Sequence, residues 1–95
     1  MLSIKRISKV TIRGSPWTVK WPEKIRDGTC FGLCEHDINV ISFESALQGK
    51  KLLEIAIHEP LHAEFPKASE EAVTQAAKDI ADALWRMGFR CGNTK

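Results

Sequence analysis

The apolar positions follow a period of two in the first half of the chain and a longer period in the second. From Lys9 to Trp21, Val10, Ile12, Trp17, Val19 and Trp21 interleave with Thr11, Arg13, Thr18 and Lys20. Such alternation predicts strands with one buried face. Gly14, Ser15 and Pro16 supply turn chemistry in the middle, so the segment reads as a β-hairpin. Pro22 and the polar run to Gly28 end it. Cys30–Cys34 is expected as a third short strand, and Ile38–Phe43, rich in β-branched residues, as a fourth.

After Gly49 the spacing changes to steps of three and four. Leu52, Leu53, Ala56, Ile57 and Leu61 form a broad stripe, predicting a helix over Lys50–Ala63. Phe65 and Pro66 stop it. Ser69 is a good N-cap, with Glu70 and Glu71 in the first turn that follows. Val73, Ala76, Ala77, Ile80, Ala83, Leu84 and Met87 are expected to line a second helix, and Gly88 is placed to end it at C′. Residues 90–95 should fray. Strands followed by helices imply an α+β fold. The expected architecture is a small antiparallel sheet of three to four strands, the N-terminal hairpin plus an edge strand, packed on two C-terminal helices.

The chain has 95 residues, enough for one domain with one modest core. It divides into a hairpin region (1–27), a core (28–90) and a tail (91–95). No apolar run approaches the ~18 residues of a membrane span, and the first residues lack the apolar stretch of an export signal. Together with the three cysteines, Cys30, Cys34 and Cys91, this points to free thiols and a cytoplasmic protein. Cys30, Cys34 and His36 are poorly spaced for a zinc knuckle, and half-buried strand cysteines are the preferred reading. The N-terminal part is basic, with Lys5, Arg6, Lys9, Arg13, Lys20, Lys24 and Arg26 against Glu23 and Asp27. With Trp17 and Trp21 it offers a way to touch nucleic acid. A solvated sheet face is the preferred reading, so nucleic acid is not an expected partner.

The most specific chemistry lies in His58-Glu59-Pro60-Leu61-His62, an H-E-x-x-H pattern. Two histidines four apart share one helix face and can hold one Zn²⁺. The adjacent glutamate can reach a water on the metal without ligating it. This pattern implies metal-assisted hydrolysis with Glu59 as general base. A third ligand is needed. Glu70 leads the candidates, because it heads the apolar stripe of the last helix; Glu71 is the alternative, and Glu64 and His36 are weaker. Pro60 breaks the pattern's ideal form. It removes a helical hydrogen bond to Ala56 and implies either a kink or a helix restarting at Pro60.

These features resemble the zincin metallopeptidases, in particular the small gluzincin-like ones of phage and bacterial genomes. The likeness rests on the strand at 38–43, the H-E-x-x-H helix, the link through Ser69, Glu70-Glu71-Ala72-Val73, and the stretch from Asp79 to Arg90. It implies a zinc ion on His58, His62 and Glu70 or Glu71, catalysis by Glu59, and a peptide or protein substrate. It also implies that the substrate pairs with an edge strand, carried here by Ile38, Asn39, Val40, Ile41, Ser42 and Phe43. The alternative is a catalytically degenerate zincin fold that binds a host or phage protein.

Overall fold

A computed structural model describes residues 5–90. The hairpin forms as β1 (Lys9–Ile12) and β2 (Ser15–Lys20), paired antiparallel with Val10 opposite Trp17. Its turn sits one residue earlier than expected. Arg13 and Gly14 both take positive φ, 53° and 76°, as in a two-residue turn whose twist matches the strands. Pro16 therefore lies in β2, opposite Thr11. β3 (Gly32–Glu35) and β4 (Val40–Phe43) follow. A single 3₁₀ turn at Arg26–Gly28 precedes β3.

The sheet runs β1-β2-β4-β3. β4 pairs antiparallel with β3 and parallel with β2, with Val19 opposite Ile41. The sheet is thus mixed where an antiparallel one was expected. The reason is topological. Residues 21–31 carry the chain past the slot beside β2, β3 takes the outer position, and the turn at 36–39 brings β4 back into the slot. Both neighbours of β4 are then strands, and all four of its residues are buried, as in strands covered on both sides.

α1 (Gly49–Glu64) lies on the sheet, and α2 (Glu70–Arg86) packs against α1. Register puts Val10, Ile12, Trp17, Val19, Ile41 and Phe43 on one sheet face. That face meets Leu52, Ile55 and Ala63 of α1 in the main core. On α2 the buried residues are Val73, Ala77 and Ala81. Ile80 and Met87, expected inside, are exposed. Steps of four leave only small side chains at the helix contact, which lets the two backbones approach closely. Trp17 and Trp21 are not free for stacking on bases. Trp17 is buried, and Trp21 packs on Phe43 and donates its indole N–H to the Ile7 carbonyl.

α1 runs unbroken through Pro60. The helix does not restart at Pro60. Its core stripe is Leu52, Ile55, Glu59 and Ala63. Pro60 lies with Leu53, Ala56 and Glu64 along an apolar groove of about 510 Å³ beside β1 and β2. The ring thus occupies the side of the helix away from α2. α2 is capped at both ends. Ser69 Oγ accepts from the Ala72 amide at 3.1 Å. Gly88, at φ 101°, closes the other end, with Gly88 N donating to Trp85 O and Phe89 N to Leu84 O, a Schellman motif. Lys50 and Asp82 form an ion pair of 2.9 Å between the start of α1 and the end of α2. Among the described residues no helix is long and apolar enough to cross a membrane. The frayed tail expected at 91–95 lies outside the described residues.

Two substitutions test this packing. Pro60→Ala restores the lost helical hydrogen bond and should raise stability by roughly 1–3 kcal/mol in urea unfolding. Gly32→Ala should lower it by roughly 1–3 kcal/mol, because an added Cβ would lie 2.7 Å from Ile55 Cγ2 and 2.8 Å from Glu59 Cγ. Unchanged midpoints in either variant would contradict the packing described.

Candidate metal centre

The short link after α1 sets the geometry. Phe65 ends the helix, Ala68 N donates to Phe65 O, and Ser69 caps α2. The chain therefore reverses within a few residues, and the first residue of α2, Glu70, returns beside the last turns of α1. His58 and His62, one turn apart, face it. His62 Nε2 is 2.8 Å from Glu70 Oε1, and His58 Nε2 is 3.1 and 3.2 Å from the two carboxylate oxygens. The two Nε2 atoms are 3.2 Å apart.

This donor set fits a metal ion. Two imidazole nitrogens and a carboxylate oxygen converge on one point. With both Nε2 atoms unprotonated, three lone pairs face each other and repel unless a cation lies between them. A tetrahedral ion at about 2.0–2.1 Å from each ligand would hold its ligand atoms about 3.3 Å apart, close to the separations found. Among the described residues this is the one group of three or more such side chains gathered closely enough for an ion. Glu70 is therefore the acid the fold supplies. Glu71 is exposed and makes no contact with either histidine among the described residues. Cys30, Cys34 and His36 do not assemble a second site. Cys34 Sγ and His36 Nε2 are 3.8 Å apart, while Cys30 lies near Thr29.

Glu59 sits on the stripe of α1 that faces the sheet, and its side chain is 9% exposed. One oxygen lies 4.0 Å from His58 Nε2, too far for a shared ligand role and close enough to address what binds there. Its carboxylate packs on the bare backbone of Gly32. Burial pushes the Glu59 carboxyl above its ordinary value, against the pull of His58 and His62 and aided by Glu70. For Glu70 the desolvation that would raise its pKa is outweighed by hydrogen bonding to His62 and His58, and it is held low. The two acids are thus pushed apart, one toward holding a proton and one toward ligating.

A cleft of about 230 Å³ opens over these groups, walled by Gly32, Leu33, Cys34, His36, Glu59, His62 and Glu70. Its far wall is β3, an outer strand of the sheet. The expected substrate strand at 38–43 is displaced by this finding. Ile38 and Asn39 lie in a turn, and Val40–Phe43 form an inner strand with partners on both sides. Among the described residues, the unpaired strand edge beside the histidines belongs to β3. Glu44 N donates to Phe31 O, and bonded pairs alternate along an antiparallel ladder. Leu33 and Glu35 then face β4, while Gly32 and Cys34 turn their N–H and C=O groups outward. Sequence reading missed Gly32 and Cys34 as cleft residues and placed His36 only among the weaker ligand candidates. A glycine inside a strand pattern was the available signal, since it marks close approach by a neighbour. No family model, curated protein or solved structure matches the chain.

Burial, with the charges of Glu59 and Glu35 nearby, pushes the Cys34 thiol up to about 11. The thiolate is the reactive form. Alkylation of Cys34 by iodoacetamide should stay slow at pH 8–9 and accelerate only as pH approaches that value, measured by mass spectrometry. Fast modification at pH 8 would contradict the burial of the cleft wall.

Proposed function

We propose that this protein is a small zinc-dependent metallopeptidase of zincin type, hydrolysing peptide bonds with Glu59 as general base. The observation that carries this reading is the convergence of His58, His62 and Glu70 on one point with buried Glu59 beside it. A bound zinc ion supplies Lewis acidity to the carbonyl under attack and to the attacking water. The chain's own groups do the rest. His58 and His62 present Nε2 from successive turns of one helix, and Glu70 closes the ligand set from the next. Glu59, inclined by burial to hold a proton, takes one from the water and returns it to the leaving amine. Gly32 and Cys34 offer main-chain partners to an extended peptide, so β3 takes the substrate-strand role. Free Cys30 and Cys34 suit a reducing, cytoplasmic setting.

Zinc content of the purified protein, by mass spectrometry of metals, should be one ion per chain. His58→Ala and His62→Ala should lose it. Equal zinc in wild type and His58→Ala would sink the reading. Glu59→Gln should keep the metal and lower peptide hydrolysis by about 10²–10⁴-fold. Retained activity in that variant would remove Glu59 from the mechanism. A biological effect that survives loss of hydrolysis would point to the binding-module alternative.

A further inference from the structure

His36 is shared by two adjoining pockets. On one side it walls the metal cleft. On the other it joins Arg13, Ser15, Trp17 and Asn39 around a second, mainly polar pocket of about 290 Å³. The two pockets differ in chemistry. The metal cleft carries Glu59 and Glu70. The second pocket has no carboxylate on its wall, and Arg13 is its one permanently charged group. Among the described residues Arg13 has no hydrogen-bonding or ion-pairing partner. The tight hairpin turn, with Arg13 at φ 53°, fixes where that guanidinium is rooted. Ser15 and Asn39 add a hydroxyl and an amide, and the His36 ring is steadied edge-on against the Trp17 indole at 5.9 Å. The neighbouring acid Glu35 belongs to the other face of the sheet, because Cys34 pairs with core-facing Ile41 and Glu35 with Val40.

We infer that this second pocket is a recognition site for a carboxylate side chain of a bound peptide, with Arg13 as the specificity-determining residue. Arg13 also borders a groove with Glu64 and Lys67 and, among the described residues, is paired with neither acid nor amide there. The Asn39 amide donates to Pro16 O at 3.5 Å. A planar, unpaired guanidinium with the Ser15 hydroxyl on the same wall matches a carboxylate and discriminates against an amide. Its place relative to the cut bond rests on the peptidase reading. His36 follows directly on β3, two residues beyond Cys34, where the turn at 36–39 begins. A peptide lying along β3 with its scissile carbonyl at the histidines runs toward His36, the residue common to both pockets, and the Arg13 pocket lies beyond that end of β3. The enzyme would prefer aspartate or glutamate there.

The test uses binding, so it does not depend on metal or turnover. Blocked tetrapeptides with one glutamate, and the same peptides with glutamine in its place, are titrated into ¹⁵N-labelled protein and followed by amide shifts. Wild type should bind the glutamate peptide about tenfold more tightly, with shifts centred on residues 13–15 and 39. Arg13→Asn, which suits the left-handed backbone, should abolish the difference, and Arg13→Lys should retain part of it. His58→Ala should keep the full preference even if zinc and hydrolysis are lost. Equal binding of the two peptides by wild type, or a preference that survives Arg13→Asn, overturns the assignment. Should Arg13→Asn fail to fold, the wild-type map decides: glutamate-specific shifts at 13–15 and 39 support the site, and shifts confined elsewhere overturn it. Hydrolysis without any acidic preference would also overturn it while leaving the peptidase reading intact.

Discussion

The tight reversal between α1 and α2 governs the rest of the site. Five residues, 65–69, separate the helices, and contacts at both ends, His62 with Glu70 and Lys50 with Asp82, lay them antiparallel and side by side. The small contact residues Ala77 and Ala81 allow the backbones to close, and the Ser69 cap fixes which residue begins α2. With those conditions met, Glu70 has one place to go. It faces the last turns of α1, where the histidines are. The Lys50–Asp82 pair spans the opposite end of the same helix pair, but it is exposed and contributes little by comparison.

α1 serves several surroundings at once, because its side chains fan out around the axis. Leu52, Ile55, Glu59 and Ala63 point to the sheet, His58 and His62 to the start of α2, and Pro60 to the apolar groove. This explains how a proline inside the H-E-x-x-H pattern is tolerated. The hydrogen bond it forfeits belongs to the side of the helix away from the ligands, and the surrounding core keeps the turn helical. It also explains the burial of Glu59. A carboxylate on the core stripe needs a neighbour that leaves room, and Gly32 provides it by having no side chain. Desolvation there costs stability and raises the proton affinity that a general base and acid can use.

The cleft at the histidines is open, as the size of the domain requires. One wall is helix, the other a single outer strand, and among the described residues no lobe closes over them. Under the proposed peptidase function, affinity for a peptide comes from main-chain pairing along β3 and from a few side-chain pockets at its ends. His36 stands where the metal cleft meets the donor-lined pocket around Arg13.

Much of this was legible in the residues themselves. The alternation from Val10 to Val19, the steps of three and four after Gly49, the Ser69 cap and the Gly88 stop are local signals, and each element formed where they placed it, to within a few residues. The pairing of His58 with His62 was equally local, since helix geometry alone sets four-residue neighbours on one face. The stripe of α2 already put Glu70 ahead of Glu71, but the parallel union of β2 with β4 and the exchange of the outer position from 38–43 to β3 were not local. Each depends on where a segment lands relative to another distant in the chain, and neither periodicity nor turn chemistry encodes that. The Ile38–Phe43 pattern is the same whether one neighbour or two lie beside it; only the path of residues 21–31 past the vacant slot decided that β4 is enclosed and β3 faces the cleft.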